Sequence, residues 1–352
     1  MAHKSAAERR TFLRLLGGTM VATVVPLSLY RNILWAQEMA HTAFIFDPRY
    51  TRHDTGPGHP ERPERMDAVL ARLEQVELAD RLPSVAPRPA TQQELAACHD
   101  RAYVDLVRRE VLAGARQLST GDTVISRASL DVAILAVGGA LAAVDAVVEG
   151  RARNAFCAIR PPGHHASSAR GMGFCIFNNV ALAARYAQQT HHIGKVAIVD
   201  WDVHHGNGTQ NIFYEDPSVF FFSTHQSPWY PYTGPADETG QGAGLGTTMN
   251  FPFSAGAGRP QIVGAMQDKL LPALQQFKPE LILISAGFDS KLGDPLGQFV
   301  LTDPDFTDMT RLLMMFARDH CENRIVSILE GGYDLEGLAS AVAAHVQTLT
   351  EK

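Results

Sequence analysis

Residues 199–208 read Val-Asp-Trp-Asp-Val-His-His-Gly-Asn-Gly and close the apolar run Val196-Ala197-Ile198-Val199. Four ionisable side chains at the end of a buried strand are costly unless something pairs them. A metal ion would do so. Asp202 and His204 stand two apart, on one side of the chain if the segment stays extended. Asp289, in Ser285-Ala286-Gly287-Phe288-Asp289, arrives from another strand end. Two carboxylates and one imidazole make an oxygen- and nitrogen-rich set with room for water, the pattern of a catalytic zinc site. Such a site lowers the pKa of water from about 15.7 towards about 7. The bland alternative for Asp-x-His is a capped turn with a satisfied histidine.

His164-His165 follow Arg160-Pro161-Pro162-Gly163, a turn that fixes the backbone. Asp200 can orient one imidazole and Asn207 the other. A carboxylate raises the basicity of its histidine, whereas an amide only holds it. Unequal surroundings suit a general base beside an electrostatic partner. The pair His191-His192 follows a polar helix end, Gln188-Gln189-Thr190, and reads as an exposed turn. Tyr333 follows Gly331-Gly332, where the backbone can bring a phenol close to a ligand, as donor to an oxyanion; the start of a helix or turn is the plainer reading. Residues 240–246 resemble a dinucleotide loop but do not open a helix after a strand. Cys98-His99 and Cys175 have no metal partners in sequence.

These residues need a frame. Strand-like runs occupy residues 41–46, 154–159, 195–200, 219–223, 280–285 and 324–329, with helical patterns at 62–77, 126–149, 179–189, 260–277 and 303–319. The alternation predicts βαβ units and a parallel sheet, whose ligands bind outside the carboxyl ends of the strands. Four strand ends, at Ile159, Val199, Ser285 and Leu329, deliver the polar clusters to one rim. The 352 residues, 45% hydrophobic, suffice for one α/β sheet covered on both faces. With 31 Lys+Arg against 37 Asp+Glu, the net charge of −6 argues against a nucleic-acid partner. Cys98, Cys157, Cys175 and Cys321 show no C-x-x-C spacing and read as buried thiols.

The N-terminus stands apart. Arg9-Arg10-Thr11-Phe12-Leu13-Arg14 precedes an apolar stretch over 15–29 that Gly17, Gly18 and Pro26 interrupt, too short to span a bilayer. Residues 1–40 therefore read as a twin-arginine-like export signal ahead of a catalytic domain at 41–352, which predicts a periplasmic protein. Glu8 occupies the place where that motif usually has Ser or Thr, and no clean cleavage site follows. The alternative is a tail, membrane-associated if uncleaved, on a cytoplasmic protein.

Residues 160–166, 199–210, 285–297 and 330–334 resemble the motifs of the zinc-dependent histone deacetylase family, as does the early stretch 53–65. The likeness runs from about Phe44 to Leu349. It fits the class II-like branch, because Asn207 stands where class I members carry Asp. The resemblance implies the arginase/deacetylase fold, a three-layer α/β architecture with a central, mostly parallel sheet of about eight strands and helices on both faces. It implies one zinc per chain on Asp202, His204 and Asp289, and a structural potassium on Asp200, Asp202, His204, Ser223 and Thr224. His165 would be the general base and His164 its electrostatic partner, with Asp200 behind His164 and Asn207 behind His165. Tyr333 would polarise the acyl carbonyl. Phe174 and Tyr230 would wall a narrow channel, and the Gly173 carbonyl would receive the scissile N–H. Leu296 would lie at the channel mouth, where polyamine-selective relatives place Glu; Asp122 is another acid expected there.

The implied reaction is hydrolysis of an acetyl or related acyl amide of a lysine-like amine, on a small molecule or peptide. Acetylpolyamine hydrolysis and non-catalytic acyl-amine binding are the alternatives. A two-manganese ureohydrolase would want Asp-x-His-x-Asp, whereas the order here is Asp-x-Asp-x-His.

Overall fold

Strand β3 (Val196–Asp200) is buried along its whole length. Its side chains divide between two cores, Val196 and Ile198 in one and Ala197 and Val199 in the other. That is how a strand behaves when both faces of its sheet are covered. The computed structural model describes residues 41–351, and the expected export signal at 1–40 lies outside the described residues.

With β3, the strands are β1 (Thr42–Ile45), β2 (Asn154–Cys157), β4 (Val219–Gln226), β5 (Thr248–Phe253), β6 (Leu281–Ala286) and β7 (Ile325–Leu329). All pairings are parallel, in the order β1-β2-β7-β6-β3-β4-β5. The described sheet thus has seven strands where about eight were expected. Beyond β1 the ladder shrinks to a single parallel bridge between Phe44 and Ser84. Pro83, Pro87 and Pro89 surround that bridge and cannot donate to a longer ladder. β5 was not expected from the sequence: it is an edge strand carrying Asn250 and Pro252.

Helices α1 (Glu64–Gln75), α2 (Gln92–Leu95), α3 (Arg101–Leu112), α4 (Ser129–Val148), α5 (Asn179–His191), α6 (Asn207–Phe213), α7 (Arg259–Ala265), α8 (Leu271–Phe277), α9 (Asp303–His320) and α10 (Leu335–Leu349) complete the layers. Apolar residues of α3, α4 and α5 fill one core; those of α1, α7, α8, α9 and α10 fill the other. α4 is apolar enough to cross a membrane, yet 78% of its most apolar window is buried in the protein. The helix expected over 260–277 is broken by a π-turn at Met266–Leu270, just before Pro272 in the first turn of α8. A proline removes one backbone donor there, and the wider turn accommodates the loss. All four cysteines are buried and free, as expected.

The order of strands sets the site. From β3 the sheet is extended outwards by β4 and β5; β6 and β7 are added on the other side. The crevice at such a reversal, outside the carboxyl ends, is where α/β sheets bind ligands. Asp200 ends β3 and pairs in register with Ser223 of β4 on one side and Ser285 of β6 on the other.

Candidate active site

Asp202 and His204 leave the end of β3, and Asp289 leaves the end of the adjacent β6. One ligand atom from each lies within 4.8 Å of the others, and all three residues are buried. His204 Nδ1 is 2.9 Å from Asp202 Oδ1 and 3.1 Å from Asp289 Oδ2. Backbone donors hold the carboxylates in place. The Val203 N–H reaches Asp289 Oδ1 at 2.8 Å, and the Gly331 N–H reaches Asp202 Oδ2 at 2.9 Å. Close approach explains the glycines: a Cβ at Gly331 would fall 2.0 Å from Asp289 Oδ2, and one at Gly287 would fall 2.1 Å from Asp202 Oδ2.

Charge in this cluster is unbalanced. Burial, then the neighbouring Asp202, pushes the Asp289 carboxyl up to about 7. Burial opposes charge on His204, but its bonds to Asp202 and Asp289 outweigh that and hold the imidazole up to about 10. Surplus negative charge and convergent O and N donors suit a divalent cation, and the donor set fits zinc.

The two histidines of the pair have unlike partners. His164 Nδ1 lies 2.9 Å from Asp200 Oδ2, and His165 Nδ1 lies 2.7 Å from Asn207 Oδ1. Burial opposes charge on His164, but Asp200 and Asp202 override it and raise its pKa well above the ordinary value. Burial, then His164 and His204, drives His165 well below it. The two imidazoles, with ring centroids 4.0 Å apart, are therefore shifted in opposite directions.

A cavity of about 270 Å³ opens onto these groups, lined by His165, His204, Gly173, Phe174, Tyr230 and Tyr333, with Asp122, Trp229, Tyr232 and Leu296 completing it. Phe174 stands edge-on to Tyr333 with centroids 5.8 Å apart, and His165 edge-on to Tyr230 at 5.3 Å. Gly173 adopts φ +57°, and a Cβ there would sit 2.2 Å from the His165 ring, so only glycine fits. Its carbonyl accepts the Cys175 thiol at 3.3 Å, and its N–H donates to Asp122 Oδ1 at 2.7 Å. Burial, then Asp289, raises the Tyr333 phenol well above its ordinary pKa, which keeps it a donor. Leu296 is half-buried at the rim, and its carbonyl accepts the Trp229 indole N–H at 2.8 Å.

The remaining expectations fare differently. Asp200 and Ser223 adjoin across the sheet and Thr224 is buried beside them; Ser223 Oγ is 3.0 Å from His225 Nδ1. Gly206 and Gly208 are needed for close approach, a Cβ at Gly206 falling 2.2 Å from Asp200 Oδ2 and one at Gly208 2.4 Å from the Ala166 carbonyl oxygen. His191 is not an exposed turn residue: its Nε2 lies 2.7 Å from Asp145 Oδ1, and only His192 is exposed. His99 is a structural histidine, with Nδ1 2.9 Å from the Ser167 carbonyl and Nε2 accepting the Asn178 N–H at 2.9 Å.

Three residues at the site were not singled out from sequence. Glu330, buried, accepts the N–H groups of Gly163 at 2.6 Å and His164 at 3.1 Å. Arg65 donates to the carbonyls of Gly332 and Glu330 at 2.7 and 2.6 Å. Asp294 accepts the Tyr333 N–H at 2.6 Å. Most of their partners are backbone groups, which side-chain patterns do not reveal.

Known proteins resemble this chain in sequence and in fold. Residues 59–349 match the family model described as the histone deacetylase domain. The human protein named polyamine deacetylase HDAC10 is 43% identical over 300 residues, which cover 82% of this chain and 44% of that protein. A probable deacetylase of Archaeoglobus fulgidus is 39% identical, with 84% of this chain and 82% of that protein covered. The chain thus spans less than half of the human relative's length and most of the archaeal one's. Among solved structures, the HDA15 HD domain superposes with a TM-score of 0.84 at 38% identity, covering 88% of this chain and 89% of the other. The chain belongs to the histone deacetylase domain family.

Proposed function

We propose that the protein is a zinc-dependent deacetylase that hydrolyses acyl amides of lysine-like amines. The observation that carries this reading is the split of the histidine pair, His164 on Asp200 and His165 on Asn207, with His165 lining the same cavity as His204 of the Asp202–His204–Asp289 cluster. Zinc held by those three residues supplies Lewis acidity, which polarises a carbonyl and acidifies water. His165, neutral, accepts the proton of the attacking water. His164, charged by Asp200, stabilises negative charge as it develops. The Tyr333 hydroxyl donates to the carbonyl oxygen as it becomes an oxyanion. Protonated His165 then returns its proton to the leaving nitrogen, and a carboxylate and a free amine depart. Phe174 and Tyr230 confine the acyl-bearing chain, and the Gly173 carbonyl is placed for the amide N–H. A potassium ion beneath the site, on Asp200, Ser223 and Thr224, is part of the proposal; it is supported by Thr224 Oγ1, which is buried without a hydrogen-bond partner.

The preferred substrate follows from the rim. An acetylpolyamine carries a second ammonium several bonds from its amide, and Leu296 offers it no charge, only apolar surface for a methylene chain. The competing reading, polyamine hydrolysis, draws on Asp122 at the cavity and on the name of the human relative. Comparing kcat/KM for acetyl-lysine peptides with that for N-acetylputrescine and N-acetylspermidine decides between them. Peptides are expected to be the better substrates, and Leu296→Glu should move the ratio towards polyamines by up to about fivefold, the scale of an exposed ion pair. A wild-type preference for polyamines overturns the assignment.

A further inference from the structure

Tyr333 sits on a backbone that does not hold itself. Gly332 adopts φ +119°, a conformation L side chains rarely take, and a Cβ there would fall 2.8 Å from Leu338 Cδ1. Such a glycine leaves its neighbour free to swing unless other groups fix the chain. Two charged side chains grip this segment. Arg65 takes the Gly332 carbonyl at 2.7 Å, and its guanidinium lies 5.1 Å from the Tyr333 ring centroid. Asp294 Oδ2 takes the N–H of Tyr333 at 2.6 Å and that of Asp334 at 3.1 Å. The other oxygen of Asp294 accepts the Leu296 N–H at 2.9 Å, and Leu296 in turn accepts the Trp229 indole N–H at 2.8 Å.

From this arrangement we infer that Asp294 is the positioning residue of the site: its single carboxylate fixes Tyr333 in the cavity and ties it to the Leu296 and Trp229 rim. The inference rests on the deacetylase reading, in which the Tyr333 hydroxyl stabilises the oxyanion. Asp294 touches no reacting atom and acts only through the backbone of Tyr333. It lies on the loop after β6, so the strand that provides Asp289 also aims the tyrosine. All three accepted bonds come from backbone N–H groups, and Asp294 is itself 7% exposed. Such a carboxylate has few substitutes. An asparagine of the same shape turns an N–H donor towards at least one of these N–H groups. The tyrosine is then held loosely, and a displacement of about 1 Å at a reacting group can cost on the order of 100-fold in rate.

A double-mutant cycle tests this. Asp294→Asn in the zinc-loaded full chain is expected to lower kcat by about 10- to 100-fold with KM changed less than about threefold. In a Tyr333→Phe background the same substitution should cost less than about threefold in kcat, because the hydroxyl it aims is already gone. Zinc content and thermal unfolding are measured on every variant. If Asp294→Asn does not fold, Asp294→Ser, which keeps an acceptor oxygen without the amide donors, carries the same cycle. Equal losses in the two backgrounds make Asp294 a general structural residue and overturn the inference, as does an unchanged kcat in Asp294→Asn. Tyr333→Phe alone reports on the parent reading separately, and a loss below about fivefold there removes both.

Discussion

Glu61, Arg65 and Arg160 form one buried charge cluster, and Asp202, His204 and Asp289 form another. In the first, one carboxylate lies between two guanidinium groups, and backbone carbonyls accept from both guanidinium groups. Glu61 receives Arg160 Nη2 at 2.8 Å and Arg65 Nη1 at 3.2 Å. Further guanidinium hydrogens go to the carbonyls of Tyr50, His53, Gly332 and Glu330. All three side chains are fully buried. Burial opposes the charge on Glu61, but Arg160 outweighs it and holds the carboxyl down at about 2. In the second cluster two acids share one imidazole, and burial, then the neighbouring Asp202, pushes Asp289 the other way, up to about 7. The first cluster is closed and the second opens on a cavity. Buried charge enclosed by protein donors and acceptors supports the frame, and buried charge that borders a cavity marks the place for a ligand.

Breaking the open cluster should abolish chemistry and spare the fold. Asp289→Ala is expected to lose most bound zinc and all measurable deacetylation, with the far-ultraviolet spectrum unchanged; near-normal turnover with full zinc would detach the cluster from catalysis. Breaking the closed cluster should do the reverse. Glu61→Gln strands two buried guanidinium groups and is expected to cost about 3–5 kcal/mol in denaturant unfolding. Because Glu61 is depressed from 4.5 to about 2, its contribution is fully present above pH 4.5. The gap between wild type and variant should therefore shrink as pH falls from 4.5 towards 2. A gap that is small at pH 7 would refute the closed-cluster account.

His99 sharpens the comparison with a smaller effect, since it is closed by remaining neutral. One ring nitrogen donates and the other accepts, and burial lowers its pKa from 6.5 to about 4. A folded-state value below the unfolded one means stability is complete above pH 6.5 and is lost as pH falls to about 4, by roughly 2–3 kcal/mol. His99→Gln, which can also donate and accept, should flatten that window in pH-dependent unfolding, whereas an identical slope in the variant would assign the dependence to other groups.

Much of the open cluster was legible in the sequence, because it combines ionisable residue types with strand ends. Asp200, Asp202 and His204 follow an unmistakably apolar strand, and the glycines beside them mark close packing. Glu61 and Arg65 lie within the early stretch 53–65 and Arg160 opens residues 160–166, but none was given a role, because arginines read as surface residues until their partners are known. Asp294 and Glu330 escaped for a related reason: each acts on backbone N–H groups from distant loops, and those groups leave no trace in side-chain spacing. In the fold, β5 was hidden by Asn250 and Pro252, which an edge strand tolerates and a central strand does not. The π-turn at Met266–Leu270 interrupted a helix whose apolar period runs on regardless.

The central claim is that the open cluster is completed by one zinc ion and that hydrolysis depends on it. The most direct test strips metal from the full chain with a chelator and titrates zinc back while following turnover of an acetyl-lysine amide. The account predicts no turnover in the stripped protein and a linear rise that saturates at one zinc per chain. Turnover that persists without metal, or that saturates only at two ions per chain, would contradict it.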